Sequence, residues 1–498
     1  MICVSIARGR HRHMIAEHRH LVEQGAKLVE LRLDYINGAV NLMRLLNDRP
    51  SPVVVTCRRE RDGGKWNKSE EQRQMLLRSA IAEGVEYVDL EEDIASQIPR
   101  YGKTKRIVSL HDYRKTPDDL EEIHARLASQ DADIVKLATM ANTAHDNLRM
   151  LKLIKNSKVP TVGICMGDIG TPSRILAGKF GAPFTFATFH HERTLAPGQL
   201  SFQQMNDIYH YNRLTAETRV FGVIGDPIAH SLSPIVHNAA FRHMDINAVY
   251  VPFRVTREHL AQFLADAPEL GIEGLSVTIP HKEAVIKKLA AADASTKAIG
   301  AANTLLFKDG QIVGYNTDYQ AAISSLQEAL AEHEQQHGRK ATLENQTVLV
   351  LGAGGAAKAI AYGLKKHGAN VVIANRTPER AQQFAAALNC KTVDWAARYS
   401  FMPDIIINCT PVGMHPNVDA TPYDKHHLRP SMLVFDTVYN PENTLLIKEA
   451  RSQSCTVISG VEMFVRQACL QFEQFTGQTP PADLMRDVLK RAIGPARF

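Results

Sequence analysis

Eight short β-rich runs, each followed by a helical stretch, fill the first 215 residues, and this alternation narrows the possible folds more than anything else in the chain. The runs are ICVSI (2–6), LVELRLD (28–34), PVVVTC (52–57), VEYVDL (85–90), RIVSLH (106–111), DIVKLA (133–138), PTVGICM (160–166) and PFTFAT (183–188). Helical patterns such as SEEQRQMLLRSAIAEG (69–84) and TPDDLEEIHARLAS (116–129) separate them, and a last helix is expected from about Gln199 to Leu214. Consecutive strands joined by helices run parallel, because a parallel pair needs a crossover of roughly helix length. Eight such units make a (β/α)8 barrel; an open sheet with fewer strands is the alternative, since short apolar runs do not fix strand identity alone.

A second pattern starts at TRVFGVIGDP (218–227), after the short junction LTAETR. Strand-like AVYVPFRV and GLSVTIP alternate with helices up to the hairpin TLLFKDGQIVGYN (304–316), whose Asp309-Gly310 pair signals a type I′ turn. A helix from about Asp318 to His333 leads into the polar stretch HEQQHGRKATLEN, which reads as a loop. NQTVLVLGAGGAAKAIAYGLKKHGANVVIANRT (345–377) is a complete βαβ unit, and VEMFVRQACLQFEQFTG (461–477) is an amphipathic helix expected to pack back on the middle segment. The expected fold class is therefore α/β. A barrel over 1–216 precedes a two-domain module: 219–330 plus 461–498 as one domain, and a Rossmann nucleotide-binding domain over 345–460.

Composition excludes several classes. At 498 residues the chain exceeds one core, and 44% hydrophobic with 22% charged residues is ordinary globular usage. No apolar run approaches the ~20 residues of a membrane helix. The opening MICVSIARGRHRH sets its apolar run before its basic cluster, the reverse of a secretory signal. Seven cysteines without a CxxC fit reduced thiols and a cytoplasmic location, and no metal site is expected. The +5 net charge comes from 58 basic against 53 acidic residues without a basic stripe, which suits small anionic substrates better than nucleic acid.

Side chains alternate along a strand, so Glu30, Arg32 and Asp34 share a face, as do Thr56 and Arg58, Ser109 and His111, and Ile134, Lys136 and Ala138. With the opposite, apolar faces packed on the helices, these polar sets point into the barrel near strand C-termini, where barrel active sites are built. Interior charges are costly unless paired or functional, and four strands share the feature. Lys136, between Ile134 and Ala138, is the candidate nucleophile: an amine in an apolar pocket loses protonation and forms an imine with a ketone. His111 is the candidate acid/base.

These residues lie in motifs that resemble type I 3-dehydroquinate dehydratases along nearly all of 1–215: VELRLD, TCRR followed by GG, SLHDY, ADIVKLA, MGDIGTPSRILAGKFG and APGQ. The resemblance implies an imine lysine at Lys136, a general acid/base at His111, and substrate contacts from Glu30, Arg32, Arg58, Arg174 and Gln199. It also implies syn loss of water from 3-dehydroquinate, with Arg174 on the substrate carboxylate. Two positions depart from the family: Asp62 stands where a histidine-supporting Glu is usual, and Leu195, beside Thr194, replaces a hydroxyl residue.

In the second half, GAGGAA (352–357) follows a strand and opens a helix, as a dinucleotide-binding turn does. The next strand ends in Asn375, Arg376 and Thr377 instead of an acid, and an arginine there favours the 2′-phosphate of NADP. GDPIAHSLSPIVHN, SVTIPHK, GAANTL, GYNTD, NCTPVGM, FDTVYNP and GVEMFVRQA are similar to shikimate dehydrogenase motifs over 219–498. The resemblance implies a catalytic pair of Lys282 and Asp318. It places Ser231 and Ser233 on the substrate carboxylate, and Thr278, Asn303, Tyr439 and Gln467 on the ring. Gly352, Ala353, Gly354, Gly355, Ala356, Asn375, Arg376, Thr377, Thr410, Val438, Gly460 and Met463 would hold NADP, with Asn408, Pro411, Gly413 and Met414 on the nicotinamide side. Ala321 departs from a frequent Gly. Joined, the halves are expected to act on 3-dehydroquinate and then on 3-dehydroshikimate. A quinate-preferring dehydrogenase and a non-catalytic metabolite sensor are the competing readings, and the sensor is disfavoured because Lys136, His111, Lys282 and Asp318 all remain.

Overall fold

The structure is a computed structural model that describes residues 1–190, 194–337 and 342–494. The barrel strands are β1 (Ile2–Ile6), β2 (Leu28–Arg32), β3 (Val53–Thr56), β4 (Tyr87–Glu91), β5 (Lys105–Asp112), β6 (Ile134–Met140), β7 (Thr161–Met166) and β8 (Thr185–Thr188). Their order is β7-β6-β5-β4-β3-β2-β1-β8 in one parallel sheet, a near-closed barrel. Cys3, Leu28, Val54, Ile107, Ile134, Val162, Phe184 and Phe186 fill its interior as one apolar cluster. Parallel register sets Glu91 beside Ser109 and Ser109 beside Lys136, so polar positions on neighbouring strands fall in one row above that cluster.

The expected last helix is not a regular one. A π-helical turn at Gln204–Ile208 and a 3-10 turn at Tyr211–Arg213 stand in its place, interrupted by His210 at φ 48. The left-handed residue redirects the chain so that Tyr211 is buried against Gly178, where a continuing α-helix would carry it elsewhere.

The second sheet holds β9 (Arg219–Gly225), β10 (Ala248–Arg254), β11 (Ile272–Val277), β12 (Ala291–Ala292), β13 (Thr304–Lys308) and β14 (Gln311–Tyr315) in the order β10-β9-β11-β13-β14-β12. Asp309 (φ 50) and Gly310 (φ 74) both take the left-handed conformation a type I′ hairpin needs. The helix after β14 runs over Asp318–His337, four residues further than its pattern suggests, and residues 338–341 of the expected loop lie outside the described residues.

The third sheet is parallel throughout: β15 (Thr347–Leu351), β16 (Asn370–Asn375), β17 (Lys391–Asp394), β18 (Ile405–Asn408), β19 (Leu433–Asp436) and β20 (Thr456–Ile458), ordered β17-β16-β15-β18-β19-β20. That is the doubly wound order whose reversal beside the first strand opens a nucleotide crevice. The helix Gly460–Thr476 returns to the second sheet, where buried Gln471 accepts from Ser276 and donates to Asn303 and Thr304. Two compact units result, Met1–Gly222 with Asp226–Ala229 and Asn247–Ile272, and Val223–Gly225 with His230–Ile246 and Glu273–Phe498.

Candidate active sites

At the C-terminal ends of the barrel strands one pocket gathers Glu30, Arg32, Arg58, His111, Lys136, Arg174 and Gln199, together with Ser5, Tyr113, Met166, Phe186 and Leu195. Lys136 is 5% exposed, and its Nζ lies 4.1 Å from the centre of the Phe186 ring. Its other side is ionic: Nζ donates to Asp89 Oδ2 at 2.8 Å and stands 3.8 Å from Glu30 Oε1. The expected apolar pocket therefore exists on one flank only. Glu30 is fixed by hydroxyls of Ser5 (2.6 Å) and Thr56 (2.8 Å), and Arg32 by a two-pronged pair with Asp34 at 3.0 and 2.8 Å.

His111 Nδ1 accepts from Arg58 at 2.9 Å, which leaves the proton of a neutral ring on Nε2. Burial first, then the Arg58 and Lys136 cations, hold its pKa well below the ordinary histidine value, so the ring is neutral at pH 7. Tyr113 stacks over it with ring centroids 6.4 Å apart and donates its hydroxyl to the Asp62 carbonyl oxygen. A Cβ at Gly63 (φ +79) would fall 1.9 Å from that hydroxyl, so this turn and the tyrosine require a glycine.

The Asp62 carboxylate itself bonds Arg59 at 2.6 Å and does not line the pocket. The shortened side chain is satisfied by the neighbouring guanidinium instead of reaching the histidine.

Arg174, on the short helix after β7, is 2% exposed, and burial lowers its pKa to about 10. One Nη donates to Pro197 O, while its Nε has no hydrogen-bond partner. A buried cation without a carboxylate partner among the described residues is suited to an anionic group. The loop it holds carries Gln199, whose Oε1 accepts from Leu195 N, so the residue replacing the usual hydroxyl contributes its backbone.

In the second site, Lys282 Nζ donates to Asp318 Oδ2 at 2.6 Å, and Asn303 Nδ2 donates to Asp318 Oδ1 at 2.9 Å. Asp318 heads its helix, while Asn303 immediately precedes β13. Thr317 joins the same group through Asn303 and, at 3.5 Å, the backbone oxygen of Gln467. Tyr439 packs on Phe464 with centroids 4.7 Å apart, and Thr278 continues β11 by donating its N–H to Ile224 O. Ser231 and Ser233 flank the start of the helix Ser233–His243, where Ser233 N donates to Ser231 Oγ at 3.4 Å.

The glycine turn fits a dinucleotide. Gly352 takes φ +112, and a Cβ there would stand 3.0 Å from Cys409 O, whereas nothing lies within 4 Å of the corresponding point at Gly354. Backbone can thus approach a phosphate at Gly354, where the helix Gly355–Lys366 presents its N-terminus beyond Ala353 and ahead of Ala356. Asn375 Nδ2 donates to Thr377 O, which holds the strand end, and exposed Arg376 has no ion-pair partner among the described residues. Thr410 bonds Asn408 Oδ1 through N–H and hydroxyl. A Cβ at Gly460 would fall 2.3 Å from Val438 O, so the helix bearing Met463 and Gln467 starts directly against the segment that follows β19.

Comparison with known proteins agrees on both halves. Residues 2–215 match the type I 3-dehydroquinase family, 223–305 the shikimate dehydrogenase substrate binding domain, 331–434 the shikimate / quinate 5-dehydrogenase family and 460–490 the shikimate 5'-dehydrogenase C-terminal domain. A chloroplastic bifunctional 3-dehydroquinate dehydratase/shikimate dehydrogenase of Arabidopsis thaliana is 40% identical over 99% of this chain and 84% of its own. The chain belongs to this bifunctional family. An NADP(+) shikimate dehydrogenase of Methanothermobacter thermautotrophicus is 41% identical over 56% of the chain and 99% of its own length. Among solved structures, a shikimate dehydrogenase in complex with NADP+ is 39% identical and covers 56% of this chain and 97% of its own, with a TM-score of 0.51. A quinate dehydrogenase of Corynebacterium glutamicum in complex with NAD is 30% identical over 54% of this chain and 98% of its own, with a TM-score of 0.50.

Three residues of these sites escape the sequence reading: Asp89, Tyr113 and Asp436. Asp89 and Glu91 alternate on β4 by the same rule that flagged Glu30 and Arg32, so their signal was present. Asp436, at the end of β19, accepts from Asn408, Val438 and Thr444 and is wholly buried.

Proposed function

We propose that the barrel dehydrates 3-dehydroquinate through an imine on Lys136, and that the second half reduces the product, 3-dehydroshikimate, to shikimate with NADPH. The observation that carries the first step is one pocket holding a buried lysine, a neutral histidine and Arg174, which has no carboxylate partner among the described residues. Arg174 receives the substrate carboxylate. The Lys136 ammonium and the ketone condense: the C–N bond forms, two ammonium hydrogens leave with the carbonyl oxygen as water, and a protonated iminium remains. The neutral His111 ring takes the proton from the carbon beside the iminium. The C–H electrons run into nitrogen as an enamine, which expels the hydroxyl, and His111 returns its proton to make water. Hydrolysis of the regenerated iminium frees Lys136.

For the reduction, bound NADPH supplies a hydride, held by the glycine turn and Arg376. Lys282, anchored by Asp318 and Asn303, delivers a proton to the carbonyl oxygen. Ser231 and Ser233 take the carboxylate, and Thr278, Tyr439 and Gln467 orient the ring hydroxyls. Seven free cysteines support a reducing, cytoplasmic setting. No helix among the described residues is long and apolar enough to cross a membrane.

The test is to add 3-dehydroquinate and NADPH to the full chain and to follow NADPH absorbance and shikimate together. One shikimate per NADPH oxidised is expected; consumption of 3-dehydroquinate without NADPH oxidation would remove the second activity. Faster turnover of quinate with NAD would favour the quinate reading over the one Arg376 supports.

A further inference from the structure

We infer that Asp89 is the counter-ion that keeps the Lys136 nitrogen protonated from ammonium to iminium, and so acts as a positioning residue for the dehydration. The inference rests on the imine reading and adds to it. Asp89 is 1% exposed at the centre of β4. Its Oδ2 receives the Lys136 Nζ proton at 2.8 Å and faces Arg58 Nη2 at 2.9 Å, while its Oδ1 accepts from Ser109 Oγ at 2.6 Å. The Arg58 contact is ionic without a directed hydrogen bond, since Nη2 lacks a hydrogen-bond partner. The Lys136 proton is thus the directed donor to Oδ2.

Charge conservation gives this carboxylate its function. Condensation of an ammonium with a ketone keeps one positive charge on nitrogen, and that charge draws the C–H electrons in the next step. An unprotonated imine is a far weaker electron sink. Asp89 supports the charge by a hydrogen bond in a water-poor barrel, where a nearby anion counts for more than it does in solvent. Burial would raise its own pKa, but Arg58 and Lys136 outweigh that and hold it well below the carboxylate range, so it stays anionic.

The other groups around Nζ do not supply the same support. Glu30 on β2 stands 3.8 Å away with both oxygens engaged by hydroxyls. Glu91 on β4 pairs with Arg73 at 2.6 Å and lies 3.6 Å from Arg58. Arg32, Arg58 and His111 bring cationic or neutral character, Cys3 on β1 has its thiol pKa raised well up by burial, and β7 and β8 contribute Val162, Ile164, Met166 and Phe186.

The experiment compares wild type with Asp89→Asn, Asp89→Glu and Ser109→Ala as full chains. Two quantities are read against pH: the rate of borohydride-trapped adduct formation with 3-dehydroquinate, and steady-state dehydration. Reduction of 3-dehydroshikimate by NADPH reports folding in each sample. In Asp89→Asn the acid limb of adduct formation is expected to move down by about one pH unit, since the amine holds its proton less tightly. Dehydration is expected to fall by about tenfold or more at the same time. Asp89→Glu restores part of the turnover, and Ser109→Ala, which keeps the charge, leaves the acid limb in place. A structural role would lower both rates together without moving the limb, and that result overturns the proposal. Absence of any trapped adduct in wild type would instead overturn the imine itself.

Discussion

Arg174 is a buried cation whose guanidinium has an open Nε and no carboxylate partner among the described residues, and the proposal that it receives the substrate carboxylate rests on that open valence. Arg174→Ala removes a charge-assisted contact in a desolvated site, worth about 2 kcal/mol or more, so KM for 3-dehydroquinate should rise ~30-fold with a smaller change in kcat. Steady-state kinetics decide it; an unchanged KM would assign the carboxylate to another group. Arg376 is the opposite case, an exposed cation without an ion-pair partner among the described residues, proposed to meet an anion brought by the cofactor. Arg376→Ala should weaken NADPH binding far more than NADH binding, because only the former offers a 2′-phosphate to the guanidinium. Equal losses in fluorescence titrations would contradict that assignment. Asp62 shows where residue-level reading stops: the sequence places a carboxylate near the histidine, but only the folded loop reveals Arg59 taking it first.

At the scale of elements, the C-terminal end of β19 stores a charge. Burial, against hydrogen bonds from Thr444, Val438 and Asn408, raises the Asp436 pKa to about 6. An acid whose folded pKa exceeds its unfolded value binds its proton more tightly when folded, so stability falls as pH rises from about 4 to about 6 and is level above. Over that range the loss amounts to about 3 kcal/mol. Asp436→Asn should erase this part of the pH dependence, read as the difference between wild-type and variant melting temperatures from pH 4 to 7. A difference that does not vary with pH would show that the carboxylate titrates normally. Elements were legible where periodicity was strong: the barrel strands and the Asp309-Gly310 hairpin match their patterns because a period of two and a turn signal act locally. The segment after Gln199 was not legible, because His210 adopts a left-handed conformation imposed by where Tyr211 packs. The β4 acids were legible in principle, since Asp89 and Glu91 alternate like Glu30 and Arg32, but a strand read alone does not tell which acid meets a lysine from two strands away.

Over the whole molecule, the sequence divides near residue 216, whereas the first compact unit also takes in Asn247–Ile272. Within that unit His145 Nδ1 meets the Asp266 carboxylate at 2.7 Å, Lys152 pairs with Glu269, and Lys179 donates to the backbone oxygens of Ala216 and Thr218. Such tertiary grouping leaves no mark in local pattern. A fragment ending at residue 272 should therefore melt at a higher temperature than one ending at residue 216, and equal melting temperatures would show that the added segment contributes nothing to the barrel.

The central claim is that Lys136 becomes covalently bound to substrate, and a reduced adduct tests it most directly. Borohydride added with 3-dehydroquinate should inactivate the dehydratase and leave a ligand mass on the peptide containing DADIVKLA, at Lys136, because an imine is reducible and a simple general base leaves nothing to trap. Lys136→Met should lose both labelling and dehydration while still reducing 3-dehydroshikimate, because Lys282 belongs to the second site. Labelling that persists in that variant, or that maps to Lys282, would contradict the account.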